Sequence, residues 1–352
     1  MTFRMMSSAG PRAYKERIVM SGRVEVGYAA ALEKYAPGDA VNLAAFAEDH
    51  GFVGTLATDH FQPWLPRHGQ SPFVWSVLTA LGERTTTNFG PGMAVPGYRY
   101  HPATVAQAAA TLEAMYEGRT WLGIGSGEAL NEHVTATYWP EPPERIDRMF
   151  EAIELIKRLF SASIAGKETK FSGKFYHMES ARLWTMPEVA PPILVATGGP
   201  LTARKAGKVA DGFITGGTSL DHAAHLIERF DQGARESGHD QSRSLKVLHL
   251  NLSWAPTYEA ALTNAVEQWP VGAMRFPKGD IRSPHVFEQI SRMVGPEDFK
   301  GRLLISEDPD EHRKAIQRFA DLGFDRIYLH NVGVEQKEWI ETFGADVLPG
   351  LQ

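Results

Sequence analysis

The sequence predicts an α/β protein, a single (β/α)8 TIM barrel with insertions. Three observations carry this reading. Short β-rich runs alternate with helical patterns from Arg23 onward. Polar clusters follow the second, fourth, fifth and last of the predicted strands. The length of 352 residues, 43% of them hydrophobic, fits two average domains or one large barrel. Repeated βα units form either a doubly wound sheet or a closed barrel. An open sheet uses mainly the crevice where its strand order reverses. A barrel gathers every strand end at one mouth, so clusters after several strands favour closure.

The elements follow in order. Val24 to Tyr28 reads as the first strand, and Ala40 to His50 as a helix closed by Gly51. Phe52 to Ala57 is the second strand, with a loop through Asp59 and a helix over Phe73 to Leu81. Phe89 to Val95 is a Gly-rich third strand before a helix over His101 to Tyr116. Trp121 to Gly125 is the fourth, and Arg145 to Leu159 is an amphipathic helix with isoleucine and leucine at helical spacing. Ile193 to Ala196 leads through Gly198-Gly199-Pro200 into a short helix, and Gly212 to Thr215 into a helix over Asp221 to Ala234. Leu245 to Trp254 is a long alternating strand before a helix over Tyr258 to Gln268. Asp325 to His330 is the eighth strand, followed by a helix over Gln336 to Phe343.

Residues 1–20 mix methionines, serines and cations with no continuous apolar segment, which argues against a secretory signal. They are expected to be a disordered N-terminal extension to a barrel over 21–352. Insertions are expected near 132–143 and 270–301, the second placed to fold over the mouth as a lid. A formal charge of -6, mild and spread out, argues against a nucleic-acid surface. The absence of cysteine excludes disulfides, thiolate metal sites and a cysteine nucleophile. No apolar run has the length of a membrane span. The expected location is the cytoplasm.

The chemistry should sit at the strand ends. His60, after the second strand, titrates near neutral pH and suits a general base; it could equally cap a loop. Trp64 could wall a planar ligand or roof the core. Glu128 follows Ser126 and Gly127, whose amides suit an anion, and it could instead favour the helix start through the dipole. Glu33 lies just past the first strand. Three titratable groups at three strand ends are harder to dismiss than any one of them. Gly198 and Gly199 allow close backbone approach to a phosphate, and Gly92 before Met93 permits an unusual backbone facing a cofactor ring. Neither glycine cluster is a GxGxxG fingerprint, which disfavours a nicotinamide site. The thirteen histidines form no HExxH pair, so no metal is expected, and no GxSxG elbow is present.

Thr58-Asp59-His60-Phe61-Gln62-Pro63-Trp64, Arg99-Tyr100-His101-Pro102, Gly125-Ser126-Gly127-Glu128-Ala129-Leu130-Asn131-Glu132, Gly198-Gly199-Pro200 and Asp211-Gly212-Phe213 together resemble the bacterial luciferase-like superfamily. Within it the chain looks like the F420-dependent glucose-6-phosphate dehydrogenase group, from about Val24 to the C-terminus. The resemblance implies a barrel, usually a homodimer, that binds the deazaflavin coenzyme F420 in its mouth and oxidises a sugar phosphate or secondary alcohol. It implies His60 as the base, Trp64 and Glu128 beside the reacting centre, and Glu33 orienting the substrate. Asp59 would contact the cofactor. Ser126, Gly127, Asn131, Gly198 and Gly199 would hold its ribityl and phosphate portions, and a non-proline cis peptide would fall at Gly92–Met93. Of the group's two lysines and one arginine at the sugar phosphate, Lys278 and Arg302 fill two places. The third place falls near Ser219, which donates a hydrogen bond but neutralises no charge. Another sugar phosphate or a neutral alcohol is therefore open as substrate. An FMN-dependent luciferase-like monooxygenase and a non-catalytic deazaflavin-binding barrel are the alternative functions.

Overall fold

The structure, a computed structural model, describes residues 24–217, 219–240 and 244–351; the extension expected over 1–20 lies outside the described residues. The strands are β1 (Glu25–Ala30), β2 (Thr55–Ala57), β3 (Phe89–Pro91), β4 (Leu122–Ile124), β5 (Thr169–Ser172), β6 (His177–Ala181), β7 (Ile193–Ala196), β8 (Gly212–Gly216), β9 (Leu245–Ser253), β10 (Leu304–Ile305) and β11 (Arg326–Asn331). Eight of them form a parallel ladder in the order β3-β2-β1-β11-β9-β8-β7-β4, with β10 paired to β9. Parallel bridges Phe89↔Thr120 and Ala94↔Ile124 join the two ends of that ladder. The expected (β/α)8 barrel is the observed one.

The helices are α1 (Pro37–Asp49), α2 (Val74–Arg84), α3 (Pro102–Met115), α4 (Ala129–Glu132), α5 (Pro142–Ile164), α6 (Pro200–Val209), α7 (Leu220–Ser237), α8 (Tyr258–Gln268), α9 (Pro270–Ala273), α10 (Pro284–Ser291), α11 (Pro309–Ala320) and α12 (Gln336–Thr342). Local chemistry explains their starts. Pro occupies the first turn of α1, α3, α5, α6, α10 and α11, where a missing N–H costs nothing. Ser219, Thr257 and Asp308 cap α7, α8 and α11 by accepting backbone N–H bonds.

Three expectations shift. The third strand stops at Pro91, which lacks an N–H for the ladder, and pairing resumes only at Ala94. The helix expected over Arg145 to Leu159 runs from Pro142 to Ile164. The antiparallel hairpin of β5 and β6 was not foreseen; it lies outside the barrel, with Phe171 and Tyr176 packed against Ala152 and Leu155 of α5.

Strand alternation sorts the side chains. Ala29, Leu56, Trp121, Leu194, Ile214, Val247 and Tyr328 share the barrel interior. Their neighbours Leu122, Val195, Phe213, Leu248 and Ile327 pack outward against the helices. By the same alternation and register, the inward positions nearer the C-terminal ends are Gly92, Gly125, Ala196, Gly216, His249, Asn251 and His330. In barrels of this type that end carries the chemistry. The segments near 132–143 and 270–301 meet there: Trp139 Nε1 donates to Asp280 Oδ1 at 2.9 Å, and Arg145 pairs with the same carboxylate at 2.9 Å. Among the described residues no helix is long and apolar enough to cross a membrane.

Candidate active site

The loops after β1, β2 and β4 bring Glu33, His60 and Glu128 to the C-terminal mouth. Glu33 is buried, and its Oε2 accepts the Thr58 hydroxyl at 2.8 Å. Burial pushes its carboxyl up, but the His60 charge, its own backbone N–H, Thr58 and His68 bring it below the usual range. It is therefore an ionised group beside His60. Glu128 goes the other way. Burial raises its carboxyl above the usual range, and the charges of His60, Lys278 and Arg145 only partly offset this. Two carboxyls near one imidazole are thus driven apart, one ionised and one proton-bearing, a division suited to acid and base roles.

The His60 ring lies 5.4 Å from Trp64, centroid to centroid, and its carbonyl accepts the Ser71 hydroxyl at 2.7 Å. Asn131 fixes the ring's other side. Its Oδ1 accepts the backbone N–H groups of Phe61 and Gln62 at 2.9 and 3.2 Å, which sets the amide's orientation. Its Nδ2 then faces His60 Nδ1 at 3.3 Å. A neutral ring that accepts this bond carries its proton on Nε2. Becoming a base at Nε2 costs it that one contact, about 1 kcal/mol.

Asp59, adjacent to His60, points elsewhere. Its Oδ1 accepts from Arg99 at 3.2 Å, its Oδ2 is paired with the same guanidinium at 3.1 Å, and Arg99 Nε reaches Glu132 at 3.1 Å. All three side chains are buried, so the guanidinium ties the β2 loop to α4. Asp59 and Asn131, both expected at the cofactor, brace the loops that carry His60. Arg99 was quoted in the sequence only as part of a motif; nothing local to it announced this role.

Trp64 packs with Leu65, Leu130, Val271, Met274 and Phe287, and it meets Trp269 edge-on at 6.4 Å. It roofs a core and walls the mouth at once. Across the barrel, Gly92–Met93 is a cis peptide, as the resemblance implied. A Cβ at Gly92 would collide with Leu56. A Cβ on Gly125 would meet nothing nearer than Met93 Cβ at 3.5 Å, and Gly198 and Gly199 have open space around theirs. Gly127 adopts φ +85, where a side chain is strained, and Ser126 precedes it half-buried. Small inward residues along β3, β4, β7 and β8 therefore face the polar groups of β1, β2, β9 and β11. A flat ring system fits that arc.

Two inward histidines went unremarked in the sequence. His330 Nδ1 bonds Asn251 Oδ1 at 2.8 Å, while the Nε2 atoms of His249 and His330 have no partner. Burial holds His249 down at about 4, with Glu33 opposing, and holds His330 well below the usual range. Alternation from Tyr328 would have found His330, and alternation from Val247 would have found His249.

A cavity of about 570 Å³ opens beside β8 and β9, lined by Ser219, Asn251, Trp269, Arg275, Lys300 and Arg302 among others. Two of the three expected substrate residues, Ser219 and Arg302, are in its wall. Lys278 is not in that lining; burial lowers its ammonium, and Glu128 is the charge that raises it.

A closed parallel barrel with this mouth is the architecture of luciferase-like enzymes. The family described as luciferase-like monooxygenase matches residues 18–326, and the chain belongs to it, within the F420-dependent glucose-6-phosphate dehydrogenase group. It is 35% identical over 338 residues to F420-dependent glucose-6-phosphate dehydrogenase 2 of Rhodococcus jostii (strain RHA1), covering 95% of this chain and 99% of that one. It is 36% identical to the F420-dependent glucose-6-phosphate dehydrogenase of Intrasporangium calvum, over 94% and 99% of the two chains. The solved structure of an F420-dependent secondary alcohol dehydrogenase, in complex with an F420-acetone adduct, superposes with a TM-score of 0.87 at 30% identity, over 94% of this chain and 99% of that chain.

Proposed function

We propose that the chain oxidises the CH–OH group of a sugar phosphate or secondary alcohol, passing a hydride to the deazaflavin coenzyme F420. One observation supports this above the others: His60, an ionised Glu33 and a proton-bearing Glu128 face an arc of small residues at one barrel mouth. When bound, the coenzyme supplies the hydride acceptor, so the protein has only to orient a carbinol and handle its protons. His60 takes the hydroxyl proton. The carboxylate of Glu33 stabilises the imidazolium that forms, and Glu128 supplies a proton on the opposite side of the site. Trp64 keeps water from the reacting carbon. Ser126, Gly127, Gly198 and Gly199 hold the coenzyme's ribityl and phosphate portions, and Gly92 and Met93 back its ring. Asp59 and Asn131 act on it through the loops they brace.

Segments 132–143 and 270–301 are read as insertions that close the mouth. A cytoplasmic homodimer is the assembly the family resemblance supports; light scattering at the mass of one chain would count against the dimer. The function is tested by an anaerobic panel of alcohols and sugar phosphates with oxidised F420, read by loss of its visible absorbance. Reduction without oxygen is expected. Turnover only with FMN and oxygen would replace this reading with the monooxygenase, and coenzyme binding without any hydride transfer would leave a binding barrel.

A further inference from the structure

The cavity beside β8 and β9 goes further than the general reading, and the inference rests on that reading. Arg275, Lys300 and Arg302 line it, and no Asp or Glu does. None of the three pairs with a carboxylate among the described residues. The remaining wall is neutral. Ser219 Oγ accepts from His222 N at the start of α7, and Asn251 gives its Oδ1 to His330, leaving its Nδ2 as a donor. Trp269 lines the cavity on one side and meets Trp64 on the other, and Trp64 in turn lies 5.4 Å from His60. The cavity is thus two aromatic rings from the imidazole.

We infer that Arg275 and Lys300, together with Arg302, form the clamp that selects a phosphate monoester at the end of the substrate remote from its reacting carbon. Lys278 serves Glu128 instead. Three like charges converging on one cavity repel one another, and a dianion relieves that repulsion more than a single carboxylate does. Guanidinium forks match phosphate oxygens in pairs, and Lys300 adds a point charge. Arg275 and Lys300 come from opposite ends of segment 270–301, so an anion between them would also draw that segment onto the mouth.

The test is calorimetric titration of inorganic phosphate into the coenzyme-loaded enzyme, beside coenzyme titrations read by fluorescence. Arg275→Ala and Lys300→Ala should each weaken phosphate binding roughly tenfold, with Arg275→Lys and Lys300→Arg recovering most of it. Lys205→Ala, which removes a cation paired with Asp147 outside the cavity, should leave the phosphate Kd unchanged. Three results would overturn the inference: no phosphate binding by the wild type at millimolar concentration, unchanged affinity in both alanine variants, or coenzyme affinity falling while phosphate affinity holds. The last would assign the cations to the coenzyme's own phosphate. The alcohol panel separates the two levels. Reduction of F420 by neutral alcohols without phosphate binding sinks this inference alone, whereas no reduction by any substrate sinks the function beneath it.

Discussion

The lower and upper halves of the barrel interior come from the same strands under the same alternation, yet they are filled in opposite ways. Below, Trp121 and Tyr328 stack at 5.7 Å among Leu56, Leu194, Ile214 and Val247. That plug dictates its surroundings: a Cβ on Gly27 would stand 2.5 Å from the Tyr328 ring, and one on Gly90 would collide with Trp121. Above, small residues face histidines whose Nε2 atoms have no protein partner. Dense packing stabilises the fold, while the unpaired polar atoms cost stability wherever water does not reach them. The contrast shows where this chain gives up stability for chemistry.

The largest effect should come from the upper half. His60→Ala is expected to lower kcat by roughly 10²–10⁴-fold while coenzyme affinity stays near that of the wild type. A kcat within twofold of wild type, with chemistry rate-limiting, would remove His60 from the proton path.

Glycine substitutions then compare the halves directly. Gly27→Ala forces a methyl into the Tyr328 ring and should cost about 3 kcal/mol in denaturant unfolding. Gly125→Ala has 3.5 Å to its nearest neighbour and should cost less than about 1 kcal/mol, while weakening coenzyme binding several-fold. Equal losses of stability in the two variants would erase the distinction between plug and mouth.

Acid should also weaken the upper half first. His68 and His249 are both held at about 4 by burial, and His330 lower still. The unfolded chain, with histidines near 6.5, binds more protons in between, so the stability they allow is complete above about pH 6.5 and lost as pH falls toward 4. His249 is partly accessible in the barrel mouth, which reduces its share. His249→Gln should spare about 1 kcal/mol of the loss between pH 7 and 5. Parallel pH profiles for variant and wild type would show that His249 titrates freely.

Much of this contrast was legible in the sequence, because alternation and strand ends are local signals. All eight barrel strands were found, as were Glu33, His60 and Glu128 at three of their ends. The hairpin of β5 and β6 escaped because its strands carry few buried residues and so no alternating pattern. Helix α11 escaped for a related reason: only His312, Ile316 and Phe319 are buried along it, too thin a stripe to stand out. The partners of Asp59 and Asn131 could not be read at all. Which group faces Arg99 or the Phe61 amide depends on how α4 docks against the β2 loop, and Lys278 turning toward Glu128 is a tertiary outcome of the same kind.

Asn131 supplies the smallest and most discriminating test. Its Oδ1 holds the Phe61 and Gln62 amides, so its Nδ2 faces His60 Nδ1 as a donor. That arrangement favours the tautomer with no lone pair on Nε2. Asn131→Asp keeps an oxygen for both amides and turns the second contact from donor to acceptor. The new carboxylate would hold a proton on Nδ1, free the Nε2 lone pair, and stabilise the imidazolium. The acid limb of the kcat/KM profile for alcohol oxidation should therefore move up by about one pH unit, which is close to 1.4 kcal/mol. Loss of fold is a separate observable, because the two backbone contacts are retained and a thermal melt reports them. An acid limb that stays in place in a variant melting like wild type would mean that Nδ1 has no say in the proton transfer. In that case the proton leaves by way of Glu33.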